Sequence, residues 1–354
     1  MAKHVIVVGG GIVGCMTALK LAELGCQVTV VERNIIAAQT SGESSWAGAG
    51  ILFPLLPWFY KEEVNTLSLA GASLYPALCQ HLLDKTGIDP EYTVSGMLIQ
   101  PPFDKTLADD WCKKNNIQTQ RFQTQYQDDN LLLPQVAQVR PPHLLKALKH
   151  RLIQKNVTLL EQTQLEPLQQ TTHIDGWKTN TGEVLAADAF VVTSGAWSFE
   201  LLKDTAANLN IKPMRGQILL YKLENGQAPQ NSLRHIVYRD GFYMVPRRDG
   251  YLLAGSTLED VGFDPRTTEE VKIELQTKAE AIMPSLKHAP IIKHWSGLRP
   301  GTPDNMPTIA AHPSIQNLYM NTGHFRYGLT MAPESARRMA ELINRHSREG
   351  GNPV

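Results

Sequence analysis

Cysteine is scarce in this chain. Only Cys15, Cys26, Cys79 and Cys112 occur in 354 residues, with no CxxC pair and no spacing that fits a disulfide scaffold. The eleven histidines include no HxH and no HExxH, so no metal site is expected. An excess of either charge is also missing. Thirty-four Lys and Arg balance thirty-four Asp and Glu, which leaves no general attraction to nucleic acid or to an anionic membrane. Lys146, Lys149 and Arg151, and later Arg337, Arg338, Arg345 and Arg348, read as solvated helix faces. No apolar run is long enough for a membrane span: Trp46 to Tyr60 is short and broken by Pro54 and Pro57. The first strand is expected by residue 4, which leaves no room for a signal peptide, so the cytoplasm is the default location. Internal repeats and long linkers are missing too.

What the chain does have is concentrated at its start. The apolar run His4 to Val8 leads directly into Gly9-Gly10-Gly11-Ile12-Val13-Gly14, then a helical stretch from Cys15 to Leu24, then Gln27 to Val31 and Glu32. Strand, glycine loop, helix, strand, acid is the context a dinucleotide fingerprint requires. Gly9 permits the tight turn, Gly11 lets backbone N–H groups approach a pyrophosphate, and Gly14 lets the helix pack closely on the sheet. The helix dipole favours the phosphate charge. Glu32, 18 residues past Gly14, is placed to accept hydrogen bonds from a ribose diol.

Further along, Thr40 to Gly50 is too polar and glycine-rich for a regular element; such a loop either lies against a flat ligand or links surface elements. A helix is expected over 62–84, interrupted at Pro76, and a strand around Tyr92 to Gln100. Asp104 to Lys114 suits a helix, whereas Gln118 to Leu133 is polar and has no clear period. Pro141 to Gln154 reads as a helix with proline in its first turn. Strands follow at Val157 to Glu161 and within Val184 to Thr193. Residues 213–260 turn to β: Gly216 to Lys222, Ile236 to Pro246 and Tyr251 to Ser256, with a hairpin turn at Arg248-Asp249-Gly250. An amphipathic helix is expected over Thr267 to Met283, then a strand at Ile291 to Trp295 and another at Leu318 to Asn321. A final helix carries Pro333 in its first turn and ends near Arg345, before a frayed tail from Ser347 to Val354. Because α/β segments flank a β-rich middle, two interleaved domains fit better than two consecutive ones.

Four segments are more specific than the glycine loop: Ser44 to Leu52, Tyr243 to Gly250, Trp295 to Asp304 and Gly323 to Pro333. In order and spacing they resemble the D-amino-acid oxidase family of flavoproteins, and in particular its bacterial glycine oxidases. The resemblance implies an α/β plus α+β fold, in which a Rossmann-like FAD-binding domain (1–55, 139–212 and 297–346) is interleaved with a β-rich substrate domain (56–138 and 213–296). It implies non-covalent FAD, with Gly9, Gly11, Ile12, Val13 and Gly14 at the pyrophosphate turn. Glu32 and Arg33 would lie at the adenosine, with Leu165 near the adenine. Ser44, Ser45, Ala49, Gly50 and Ile51 would line the flavin, and His324, Phe325, Arg326, Tyr327, Gly328, Leu329 and Thr330 would close over it. Arg299 would pair with the substrate carboxylate, beside Tyr243 and Arg326. The implied reaction oxidises glycine or another small amino acid or amine to an imine, with molecular oxygen as electron acceptor. Oxo acid, ammonia and hydrogen peroxide result. Supply of the thiamine thiazole and a homotetramer are also implied.

The residue chemistry agrees. Arginine matches a carboxylate with two parallel charge-assisted bonds, fixing orientation as well as charge. The cofactor carries the redox chemistry, so no protein acid or base is required beyond loss of the amine proton. On residue type alone, however, Arg299 and Arg326 serve equally well as loop braces, Tyr238 and Tyr251 rival Tyr243, and His324 is either a loop histidine or a flavin contact. Trp46, Ile51, Phe53 and Met244 are expected to put bulk near the pocket. Two other readings are a sarcosine-oxidase-like N-methyl amine oxidase and a flavin-bearing RNA-modification module. The first tethers flavin to a cysteine in the C-terminal half, where this chain has none. The second lacks its basic stripe here.

Overall fold

Two sheets organise the chain in a computed structural model that describes residues 2–39, 42–124, 127–223 and 233–349. The first has the strand order Thr308–Ala311, Leu318–Thr322, Ala189–Val192, His4–Val8, Gln27–Val31, Thr158–Leu160. All its pairings are parallel except that of Thr308–Ala311 with Leu318–Thr322. Parallel strands covered on both faces need continuous apolar runs, and Val5 to Val8 and Ala189 to Val192 are buried throughout.

Helix α1 (Ile12–Glu23) crosses from the first strand to the second, and nine of its twelve residues are buried. A helix apolar on nearly all sides must be enclosed. Its neighbours are α3 (Pro141–Gln154) and α4 (Gly328–Glu349). Helix α2 (Glu62–Thr86) packs on α4 so closely that a Cβ on Gly71 would stand 2.2 Å from the Thr330 carbonyl oxygen.

The second sheet has nine strands, in the order Gly42–Glu43, Ile291–Gly301, Lys212–Lys222, Tyr251–Gly255, Phe242–Pro246, Ile236–Arg239, Met97–Ile99, Gln127–Leu133, Gln120–Thr124. Most pairings are antiparallel; Gly42–Glu43 and Met97–Ile99 join in parallel. The β-rich stretch is therefore organised as its composition predicts, and Gly250 makes the expected turn with φ +76°.

Several expectations need correction. Pro76 does not interrupt α2, which runs through it. Pro333 lies in the second turn of α4, which starts at Gly328 rather than near the proline. That helix also reaches Glu349, so residues 347–349 are helical, while the expected tail at 350–354 lies outside the described residues, as do Thr40 and Ser41 of the small-residue loop. Ile291 to Gly301 is one continuous strand, because it pairs with Lys212–Lys222 from Tyr221 opposite Ile291 to Lys212 opposite Gly301, well past Trp295. Gln118 to Leu133 holds a hairpin, whose buried Leu131, Leu132 and Leu133 pair with Met97–Ile99.

Gly14 is the position where geometry leaves least room: an added Cβ would lie 1.9 Å from the Gly9 carbonyl oxygen. Gly14→Ala is expected to lower stability by at least the roughly 1–3 kcal/mol of an overpacked core, measured as a drop in denaturation midpoint. A Gly25→Ala control meets no atom within 4 Å and suffers only from its φ of +86°.

Candidate active site

Two clefts meet at the carboxyl end of the first sheet, where ligands settle in open α/β folds. Each encloses about 950 and 940 Å³ of space respectively, mouth included, and they share Ser44, Ser45, Thr193 and Gly195 as common wall. Gly9, Gly11, Glu32, Arg33 and Leu165 border the second. Ile12, Val13, Ala49, Gly50 and Ile51 border the first, with Tyr243, Arg299 and the run His324 to Thr330.

At the junction the backbone is shaped for close approach. Gly9 has φ +112°, and a Cβ there would come within 2.9 Å of the Thr193 carbonyl. Gly11 precedes α1, whose first N–H groups lack helical partners; that of Ile12 donates to Ser45 Oγ at 3.0 Å. Glu32 accepts from the Gly10 N–H at 2.6 Å and from the Asn34 N–H at 2.9 Å, one on each carboxylate oxygen. A carboxylate has about four lone-pair sites, so acceptor capacity is left for ribose hydroxyls. Arg33 lies 3.6 Å over the Trp197 ring, and burial, partly offset by Glu32 and Glu43, holds its pKa below the usual value. A helix N-terminus between two clefts, a cradle that a Cβ would fill, and an acid with spare acceptors fit an elongated dinucleotide.

The first cleft is braced across both sheets. Arg247 donates to the Ala49 carbonyl at 2.7 Å, to Val139 at 2.9 Å and to Gln138 Oε1 at 2.7 Å. Burial, then Arg140, pushes its pKa down to about 10. Trp295 Nε1 donates to Ala47 O at 3.1 Å, and its ring stacks on Trp46 with centroids 5.9 Å apart. From the opposite side Thr330 Oγ1 donates to Ile51 O at 3.0 Å, and the Tyr327 hydroxyl accepts from the Leu55 N–H at 3.1 Å.

Arg299 reaches the cleft by lying across its own sheet. A Cβ on Gly216 would fall 2.0 Å from the guanidinium, so glycine at 216 makes room for it. It donates to Thr257 O at 3.1 Å and Ser256 Oγ at 2.7 Å, both neutral. Among the described residues no carboxylate forms an ion pair with it. Burial lowers its pKa; Tyr243 opposes the shift and Arg326 adds to it. Behind it, Glu259 pairs with buried Arg215 at 2.6 Å and accepts from Gln217 and Thr257, which holds the 256–259 segment in place. A guanidinium left in a cleft without an anionic partner has the donor geometry to take a carboxylate.

Every site residue expected from the sequence borders one of these clefts except Gly14, which acts behind the loop through its contact with Gly9. The rivals of Tyr243 are otherwise engaged: Tyr238 accepts from the Gly241 N–H at 3.1 Å, and Tyr251 lies under Lys222. Arg326 is exposed and stands 5.4 Å from the Phe325 ring. Of the four residues expected to add bulk, Ile51 and Phe53 line the cleft, but Trp46 and Met244 do not. Trp46 stacks on Trp295 and Met244 is buried in the core beneath the second sheet. Leu55 and Tyr327 supply bulk instead. The sequence reading missed Thr193 to Trp197, which border the clefts after the strand Ala189–Val192. The signal was present: a Thr-Ser-Gly after an apolar strand, with Gly195 at φ +55°. Among the described residues no group of three or more metal-binding side chains converges, and no helix is long and apolar enough to cross a membrane.

A dinucleotide cradle on a parallel sheet, opening beside an unpaired arginine on a second sheet, defines an enzyme that brings a nucleotide cofactor to a small carboxylate. The chain belongs to the family described as FAD dependent oxidoreductase, whose model matches residues 4–342, and FAD is its cofactor. It is 38% identical to glycine oxidase of Pseudomonas aeruginosa over 97% of this chain and 95% of that protein. It is 36% identical to glycine oxidase of Pseudomonas putida over 100% and 96%. Among solved structures, glycine oxidase from Bacillus cereus matches with a TM-score of 0.86 at 26% identity, covering 99% of this chain and 96% of that one.

His324 gives the site a pH signature. Burial pushes its pKa down to about 3, and it stays neutral while bonded to Ser335. The unfolded chain takes up a proton below about pH 6.5 and the folded chain does not, so stability falls with pH across this window. His312 and His294, also lowered by burial, add the same sign. Denaturation midpoints followed from pH 7 to 5 are expected to drop, and His324→Gln is expected to remove roughly 1.5 kcal/mol of that loss.

Proposed function

We propose that this chain oxidises glycine and other small amino acids or amines, including sarcosine and small D-amino acids. Amino acid, oxygen and water give oxo acid, ammonia and hydrogen peroxide through an imine. The observation that carries this reading is the Arg299 guanidinium, which lines the first cleft and donates only to neutral oxygens. The glycine oxidases among its relatives support the substrate class.

In this reading Gly9 to Val13 hold the pyrophosphate, with Gly14 behind them. Glu32, Arg33 and Leu165 hold the adenosine. Ser44, Ser45, Ala49 to Ile51 and His324 to Thr330 surround the ring system, with Thr193 to Trp197 added to the sequence-based set. FAD held there would supply hydride acceptance from the substrate α-carbon and electron transfer to oxygen. Arg299 fixes the carboxylate through two donors, which sets the distance and angle of the α-carbon. Tyr243 supports the guanidinium charge. Arg326, at the exposed edge, either shares the carboxylate or braces the loop. The first turn of α4 borders the cleft, so its dipole favours negative charge there. No residue is named as general base. Ile51, Phe53, Leu55 and Tyr327 narrow the cleft, so short side chains are preferred in graded fashion.

The alternation of the two sheets along the chain supports the interleaved division, although Gly42–Glu43 within 1–55 and residues 297–301 pair in the second sheet. A homotetramer, a cytoplasmic location and supply of the thiamine thiazole rest on the family resemblance.

A peroxide-coupled assay on glycine, sarcosine, D-alanine and D-phenylalanine tests the reading, with flavin content measured on each preparation. Arg299→Ala is expected to lose 10²-fold or more in kcat/KM, because a substrate carboxylate then lacks its partner. Arg299→Lys stays clearly impaired, having charge without the fork. Both keep FAD, which acid releases intact from the precipitated chain. Near-normal kcat/KM in Arg299→Ala, or D-phenylalanine turning over faster than glycine, contradicts the assignment.

A further inference from the structure

Four buried polar side chains connect the first turn of α1 to the cleft wall formed by His324. Thr17, Asn321 and Ser335 are fully buried and His324 nearly so, at the packing surface between α1 and α4. Thr17 Oγ1 stands 2.7 Å from the Val13 carbonyl, Asn321 Nδ2 stands 3.1 Å from Thr17 Oγ1, and Ser335 Oγ lies beside Asn321 Oδ1. His324 Nε2 is 2.8 Å from Ser335 Oγ.

The direction of every bond in this chain follows from its far end. A carbonyl only accepts, so the single hydroxyl hydrogen of Thr17 goes to Val13 O. Thr17 Oγ1 must then accept, which turns the amide nitrogen of Asn321 toward it and leaves Oδ1 toward Ser335. Because Oδ1 cannot donate, Ser335 gives it the only hydrogen it has. Ser335 Oγ is left to accept, and the hydrogen on that bond must come from Nε2 of His324. A neutral imidazole protonated at Nε2 carries its lone pair on Nδ1. Nδ1 has no partner among the described residues, and the His324 ring borders the cleft. Apolar side chains of the same shape would hold α1 against α4 without the desolvation cost of four polar groups. What the polar chain adds is direction.

We propose that this hydrogen-bond chain makes Thr17, Asn321 and Ser335 positioning residues that fix His324 as the neutral Nε2–H tautomer, so that Nδ1 accepts from a hydroxyl or N–H donor of the bound FAD. The second half rests on the cleft holding FAD; the tautomer does not. The glycine-loop helix and the cleft wall are thereby coupled: the carbonyl of Val13, whose residue also borders the cleft, sets which nitrogen of His324 can accept.

Long-range proton–nitrogen NMR of the 15N-histidine-labelled holoenzyme reads the tautomer directly, with the His324 signals identified by their loss in His324→Gln. The expected result is a neutral ring protonated at Nε2 from pH 8 to 5. An Nδ1–H tautomer or an imidazolium in that range overturns the proposal. Ser335→Ala is expected to release the tautomer preference and to weaken FAD binding roughly 5-fold, the effect of one neutral hydrogen bond, with a shift in the flavin absorption bands. Ser335→Thr keeps a hydroxyl and restores both. An unchanged tautomer in Ser335→Ala refutes the relay. A released tautomer with unchanged FAD affinity and spectrum refutes the acceptor role alone. A wild-type protein that binds no FAD refutes that half too, while its tautomer remains readable.

Discussion

A guanidinium laid across a glycine, with only neutral oxygens to receive its hydrogens, is the constraint around which this site is built. Arg299 can lie there because Gly216 has no side chain, and Gly297, paired with it, leaves room for Ala47 and Ser44. Its charge costs desolvation that Thr257 O and Ser256 Oγ offset only in part, as its lowered pKa records. The 256–259 segment that presents these acceptors is in turn held by the Arg215–Glu259 pair. Such an arrangement stores an unmet demand for negative charge. In the proposed reading a small carboxylate meets it, and the same two donors supply both affinity and orientation.

The second requirement is that two sheets, made of interleaved segments, face each other with fixed spacing. The segment from Ser44 to Leu55 does this by being tied to both. Trp295 and Arg247 hold it from the β-rich side; Thr330, in the first turn of α4, and Tyr327, just before that helix, hold it from the other. Glycine at 50 is needed there, since a Cβ would meet the Val139 carbonyl at 2.0 Å. Arg299, Ala49 to Ile51 and His324 to Thr330 thus border the same cleft.

Much of this was legible in the chain. Gly9 and Gly14 declare themselves because a side chain at either would meet backbone, and Glu32 because an acid closes the second strand. The helix Pro141–Gln154 has the bounds its proline and apolar spacing suggest. Legibility failed where tertiary packing overrides local preference. Pro76 reads as an interruption and Pro333 as a helix start, yet both lie inside helices pressed together by Gly71 and by buried Met331 and Ala332. Trp46 and Met244 read as pocket bulk because sequence neighbourhood does not say which way a side chain faces. Thr193 to Trp197 went unnoticed because their role depends on the strand Ala189–Val192 pairing directly beside His4–Val8. The tautomer of His324 was invisible in sequence, being set by residues more than 300 positions apart.

The central claim is that a carboxylate bound on Arg299 sits against the flavin of the same chain. The most direct measurement is a titration of the purified holoenzyme with glycolate, which keeps the carboxylate of glycine but has no amine to oxidise, followed by flavin absorption. The account predicts a saturable change in the flavin bands that is at least 10²-fold weaker in Arg299→Ala, with FAD still bound in both. A spectrum that glycolate leaves unchanged, or one that responds equally well without the Arg299 side chain, would contradict it.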